Sequence, residues 1–165
     1  DVYLKAAPQV HIRDVKTQAR FIPQGEDAVL EVQLTVRNYA DAGQARNHQV
    51  GLQLLDEGRQ PVAAEIRQRI VSVEGGEDVV VQVDIPVSAP RRWSAEEPNL
   101  YALLLTLEDE EGHVLETGSV FVGFREIRIE RGQLLINGKP VILKGVNRNE
   151  FHPDLGFVTP VESML

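Results

Sequence analysis

Between Leu30 and Arg37 the chain alternates without a fault, Leu30, Val32, Leu34 and Val36 against Glu31, Gln33, Thr35 and Arg37. Side chains on a strand project to opposite faces in turn, so this period of two gathers the aliphatic groups on one side and the polar groups on the other. A helix would scatter the same residues around its circumference. The segment therefore reads as a strand with one dry face and one wet face, and the dry face requires a second layer to cover it.

The same pattern recurs. Val50, Leu52 and Leu54 point inward on one segment, Val79, Val81, Val83 and Ile85 on another, and Leu103, Leu105 and Leu107 on a third, where they alternate with Leu104, Thr106 and Glu108. An opening strand through Val10, Ile12 and Val15 alternates loosely enough with His11, Arg13 and Asp14 to predict a bulge. Further strands are expected within Val62 to Val73 and from Val114 to Ile129. Turn chemistry separates them: Asn38, Asp41 and Gly43; Asp56-Glu57-Gly58; Gly75-Gly76; Pro86 and Pro90; Asp109-Glu110-Glu111-Gly112. Roughly seven strands with no amphipathic helix of useful length predict an all-β fold, an immunoglobulin-like antiparallel β-sandwich. A barrel is the weaker choice.

Charge and composition narrow the function. A formal net charge of -8 argues against nucleic-acid binding, which needs clustered Lys and Arg, and equally against an anionic membrane surface. No apolar run approaches the roughly 20 residues of a spanning helix. Hydrophobic residues at 42% suffice for a core. The absence of cysteine excludes disulfides and thiolate metal sites and fits a reducing compartment, so a cytoplasmic location is expected. Asp1 to Lys5 lacks the basic-then-apolar pattern of a secretory signal, as would any chain starting inside a longer protein.

The chain changes character at Leu134 to Pro153. Asn137-Gly138 lies between short apolar runs and predicts a type I′ hairpin, with Ile136 facing Lys139. The continuous run Val141 to Leu143 then leads into Gly145-Val146-Asn147-Arg148-Asn149-Glu150-Phe151-His152-Pro153, the composition of a strand entering a site. Arg148, Asn149, Glu150 and His152 are the candidate site residues. The competing reading makes Arg148 and Glu150 a structural ion pair and packs His152 beside Pro153.

This stretch resembles the segment that opens the catalytic barrel of the β-galactosidases of glycoside hydrolase family two, where a hairpin of the type "LLINGKP" precedes "GVNRHEHHP". Asn137, Gly138, Lys139, Pro140, Gly145, Val146, Asn147, Arg148, Glu150, His152 and Pro153 agree with that pattern, while Asn149 and Phe151 stand where histidines are common. Arg92 to Tyr101 is similar to the family's "lWsaE-P-LY" segment, Gly123-Phe124-Arg125 to its "GFR" segment, and Asp1 to Leu4 to the "DVYL" that follows its jelly-roll domain.

The resemblance implies residues 1-8 as a linker from a preceding jelly-roll domain, 9-127 as the sandwich and 128-165 as the truncated edge of a (β/α)8 barrel. The partners it implies are those two neighbouring domains of the same chain, with subunit contacts in a homo-oligomer also open. The parent reaction would be hydrolysis of terminal β-galactosides with retention, through a covalent glycosyl-enzyme intermediate. Both catalytic glutamates of the family lie downstream, so this chain holds no catalytic residue, is expected to be inert alone, and offers at most Arg148, Asn149, Glu150 and His152 as substrate contacts. An Asn at position 149 puts a histidine-sugar contact in doubt but still donates and accepts hydrogen bonds. No cofactor is expected in this chain, and a divalent metal in the parent is left open. The alternatives are a stand-alone carbohydrate-binding module, or the same domain from a β-glucuronidase or β-mannosidase.

Other residues receive plainer readings. Glu96-Glu97 and Glu110-Glu111 are solvated turn carboxylates rather than a catalytic pair. His11, His48 and His113 have no chelating spacing, so no metal site is expected. Trp93, with Tyr101 near, is a packing anchor rather than a sugar-stacking platform. Asn-x-Ser/Thr does not occur. Thr159-Pro160-Val161-Glu162 has the form of a capping box starting a helix, with Thr159 as N-cap, and a chain ending one turn later reads as a fragment.

Overall fold

The structure, a computed structural model, describes residues 4, 6–23, 25–41, 46–147 and 150–163. The strands are β1 (Val10–Phe21), β2 (Ala28–Asn38), β3 (Arg46–Leu55), β4 (Ile66–Val73), β5 (Asp78–Val87), β6 (Tyr101–Asp109), β7 (Val114–Val122), β8 (Ile127–Glu130), β9 (Gln133–Ile136) and β10 (Lys139–Pro140), followed by a 3-10 turn at Val161–Ser163. Every strand pairing is antiparallel. A three-stranded sheet β1-β2-β5 and a four-stranded sheet β4-β3-β6-β7 form the sandwich, and β8, β9 and β10 make a separate small sheet.

The alternation at Leu30 to Arg37 is realised as expected: Leu30, Val32, Leu34 and Val36 are buried in the centre of the first sheet. They share one core with Val50, Leu52 and Leu54 of β3 and Leu103, Leu105 and Leu107 of β6, so each sheet supplies the apolar layer the other lacks. Each such side chain contributes about 1.5–3 kcal/mol by leaving water.

The bulge expected in β1 falls between Ile12 and Asp14. Its necessity is a matter of parity. Val10 and Ile12 face the core on even positions, while Val15, Ala19 and Phe21 pack against it on odd ones, and one extra residue keeps both sets on the same face.

Polar bonds tie the layers. The buried Asn38 donates from Nδ2 to the Val73 carbonyl at 2.9 Å and accepts the Ala40 amide at 2.8 Å. The Glu116 carboxylate on β7 accepts the Ile12 amide of β1 at 2.7 Å, bridging the two sheets at that edge. On the outer surface Asp78 of β5 takes Arg13 of β1 at 2.6 Å and Arg37 of β2 at 3.2 Å, a single carboxylate spanning the three strands. Pro86 sits within the edge strand β5 opposite Val29, a position an edge tolerates because no neighbour needs its missing N–H.

The strand expected from Val114 to Ile129 is two strands. β7 stops at Val122, and residues 123–126 turn away so that Phe124 enters the core, edge-on to Tyr101 with centroids 5.0 Å apart. The segment within Val62 to Val73 is a strand only from Ile66, Val62 instead donating its amide to the Leu54 carbonyl beside the Leu55–Pro61 bridge. Gly43 of the expected second turn lies outside the described residues.

The capping box is not formed. The Thr159 hydroxyl makes no hydrogen bond to a described residue, and among the described residues a 3-10 turn at Val161–Ser163 stands where the α-helix was expected. Val141 to Leu143 likewise forms no strand: the Val141 amide donates to the Leu134 carbonyl at 2.9 Å, and pairing ends there. Beyond it Ile142, Leu143 and Val146 are 83%, 79% and 90% exposed, an aliphatic run with no covering layer among the described residues.

Candidate functional site: the junction of sandwich and hairpin

The Asn137-Gly138 turn has the two left-handed residues that a type I′ hairpin demands, φ 51 and 75, and Ile136 pairs with Lys139 as expected. The turn also serves as a fastening. Asn137 accepts the Glu126 amide through Oδ1 at 3.0 Å, donates from Nδ2 to the Trp93 carbonyl at 2.9 Å, and donates its own amide to the Glu126 carbonyl at 2.9 Å. The side chain thus ties the end of β9 to the Trp93 segment and to the residue that leads into β8.

Trp93 is prepared for this. Its amide donates to the Phe124 carbonyl at 2.8 Å, its neighbour Arg92 bridges Phe124, and the Asn99 side chain holds the Arg92 carbonyl at 2.8 Å. The Arg125 guanidinium lies 4.5 Å over the indole centroid, and Gly123 lies against the Trp93 Cβ and Cγ. The indole is an anchor, as its sequence context indicated, and not an open stacking surface. The Tyr101 hydroxyl accepts the Arg91 amide at 2.9 Å, so that ring too is committed.

Of the candidate site residues, Arg148 and Asn149 lie outside the described residues. Glu150 is half-buried. His152 closes a short loop, exchanging backbone bonds with Gly156 at 2.7 and 2.9 Å, Gly156 having φ 70. Its Nδ1 accepts the Asp154 and Leu155 amides at 3.1 and 3.2 Å. A nitrogen that accepts carries no proton, so the neutral imidazole places its proton on Nε2, leaving that atom as a donor. Phe151 and Phe157 meet edge to face 6.1 Å apart in the same loop.

Glu96, Glu97, Glu110 and Glu111 are exposed turn residues, as expected. Sequence reasoning treated His113 as isolated, but the β6–β7 turn gathers Asp109, Glu111 and His113 with ligand atoms within 4.8 Å of one another. The Asp109 oxygens are already used: Oδ1 accepts the Glu111 and His113 amides at 3.0 and 2.8 Å, and Oδ2 meets the His113 ring at 3.1 Å. Withdrawal from water works against ionisation of Asp109, yet the bonds from the amide and ring of His113 and the amide of Glu111 prevail and hold its carboxyl below the ordinary range. The cluster builds a turn.

What the described residues build is an antiparallel two-sheet sandwich joined through Asn137 to a small three-stranded sheet. Residues 10–125 match the family model of the glycosyl hydrolases family 2, and residues 127–165 match that family's TIM barrel domain. The chain belongs to glycosyl hydrolase family 2. The two matches meet at Glu126, whose amide and carbonyl both bond Asn137. The chain is similar to a β-galactosidase of Photobacterium profundum, 37% identical over 169 residues that cover 100% of this chain and 16% of that protein. A β-galactosidase of Priestia megaterium is 38% identical over 151 residues, covering 92% of this chain and 14% of that protein. The chain therefore spans about a sixth of the length of the curated relatives it matches. Among solved structures, a β-glucuronidase of Bacteroides uniformis superposes with a TM-score of 0.76 at 21% identity over 95% of this chain and 19% of that one. A family 2 member from Bacteroides cellulosilyticus gives 0.71 at 20% identity over 84% and 17%. At those identities the superpositions speak for the fold alone.

Proposed function

We propose that this chain is a non-catalytic part of a retaining β-galactosidase, with residues 9-127 a support sandwich and 128-165 the first edge of its barrel. The observation that carries the support role is Asn137, which spends both ends of its carboxamide on the sandwich and so sets where the barrel's first hairpin stands. The galactoside substrate follows from the relatives' names, since fold alone carries no substrate. The parent reaction is hydrolysis of terminal β-galactosides through a glycosyl-enzyme intermediate, with the carboxylate pair outside this chain. Arg148, Asn149, Glu150 and His152 are its contributions to the sugar site, His152 through its Nε2–H. Position 149 binds hydroxyls through a carboxamide, where the resembled pattern commonly has an imidazole.

The test has two arms. The full-length protein is assayed on aryl β-galactoside, β-glucuronide and β-mannoside, and the 165-residue chain is titrated with galactosides. Galactoside hydrolysis with retention by the first and no saturable binding by the second are expected. A preference for glucuronide or mannoside overturns the substrate, and saturable binding through Trp93 overturns the support role.

A further inference from the structure

Asn137-Gly138 is the only Asn-Gly in the sequence, and it is also the fastening between sandwich and hairpin. The pair is chemically special. A peptide nitrogen that follows asparagine can attack the side-chain amide, and glycine, with no Cβ, obstructs that approach least. Gly138 is exposed to solvent here, whereas Asn137 is half-buried and engaged at both ends of its carboxamide.

We propose that Asn137 is a site of spontaneous covalent modification, conversion to aspartate and isoaspartate, which docking of the hairpin on the sandwich holds off and which, once it occurs, prevents redocking. The step balances without a redox partner. The Gly138 nitrogen loses its proton to a water-borne base and bonds to Asn137 Cγ; the Cγ–Nδ2 bond breaks, and the amide nitrogen leaves with a proton as ammonia. Water then adds to one of the two carbonyls of the five-membered imide, which opens to aspartate or to isoaspartate.

Two features of the docked state oppose the first step. With φ 51, Asn137 occupies the left-handed region, whose ψ near about +47° turns the following nitrogen to the side of Cα away from Cβ. The carboxamide is also held toward the Glu126 amide and the Trp93 carbonyl, so bringing Cγ to Gly138 requires both bonds to break. Cyclisation therefore proceeds from the undocked hairpin. The product cannot return: an aspartate at 137 places a carboxylate oxygen, with no proton to donate, against the Trp93 carbonyl that Nδ2 now satisfies. Isoaspartate adds a backbone methylene and shifts the Ile136–Lys139 pairing as well.

The experiment incubates the 165-residue chain in native buffer, in graded sub-denaturing urea and fully unfolded, and quantifies Asn137 conversion by peptide mass spectrometry and isoaspartyl methyltransferase labelling. Conversion is expected roughly tenfold or more slower in native buffer than in the unfolded chain, because two hydrogen bonds must open first, and to rise with urea ahead of global unfolding. Gly123→Val, which displaces Trp93, narrows the gap, and Gly138→Ala slows conversion in the unfolded chain. The purified converted chain and Asn137→Asp lose hydrogen-exchange protection at the Glu126 amide. Equal rates in native and unfolded chains, insensitivity to Gly138→Ala, or full Glu126 protection after conversion would each overturn the proposal. The urea series keeps the test decisive where Gly123→Val does not fold.

Discussion

Gly123 lies so close to Trp93 that a Cβ placed on it would fall 2.9 Å from both Cβ and Cγ of the tryptophan. The Trp93 backbone cannot back away, since its amide is held by the Phe124 carbonyl and its carbonyl by Asn137. Gly123→Ala is therefore expected to cost about 1–3 kcal/mol, the usual penalty for forcing an extra group into a packed site. A lower urea midpoint at unchanged slope is the readout; an unchanged midpoint would show that the junction yields.

Asn38 carries one of the polar connections between the sheets. Truncation in Asn38→Ala leaves the Val73 carbonyl and the Ala40 amide without it in a buried place, at a cost of about 1–3 kcal/mol. Asn38→Asp restores the acceptor for Ala40 but sets a carboxylate against the Val73 carbonyl, so it should be no more stable than Asn38→Ala. Chemical denaturation of the three chains ranks them.

Ala89 has φ 41, a conformation that costs a residue with a Cβ about 1–2 kcal/mol. Ala89→Gly removes that strain and adds freedom to the unfolded chain, for a net gain of about 0.5–1 kcal/mol. The Asp27 carboxylate, which accepts the Ser88 hydroxyl and the residue 89 amide at 2.9 and 3.0 Å, keeps the loop in place. A higher melting temperature is expected, and a lower one would place the strain elsewhere.

Asp109 gives stability an acid edge. Its carboxyl titrates lower in the folded chain than in the unfolded one, so its contribution is complete above the unfolded value near about 4 and is lost as pH falls through the folded value. Asp109→Asn should lower the melting temperature at pH 6, and the gap to the parent should shrink as melts are taken progressively below about pH 4. A gap that is the same at every pH would assign the effect to shape rather than charge.

Amide exchange separates the two parts of the chain. Amides of β2, paired on both sides, should exchange only on global unfolding, while residues 142–147, with no strand partner among the described residues, should exchange at nearly the rate of an open chain. Protection across Ile142 and Leu143 would reveal a covering layer.

What could be read from the sequence was what neighbouring residues decide together. The inward faces of β2, β3, β5 and β6 follow from alternation, the β1 bulge from a change of parity, and the hairpin from the positive φ that Asn137-Gly138 accepts. What escaped depends on residues far apart. The break after Val122 is set by Trp93 and Arg92, which no local pattern at Gly123 announces. The fastening by Asn137 was hidden because a turn motif explains the residue fully without its side chain. His152 was legible as a candidate, but the bonds that dictate its protonated nitrogen come from a turn closed by Gly156.

Pro86 bears on life at high concentration. The β5 segment, Val79-Val80-Val81 followed by Val83 and Ile85, is the kind of valine-rich edge on which a second molecule could add its own strand and start a fibril. A ring nitrogen without hydrogen interrupts the row of donors near one end, and Asp84, two residues before it on the same face, makes a stacked register repel itself. The sandwich thus carries its own stop signal against polymerisation on the edge where its sequence most invites it.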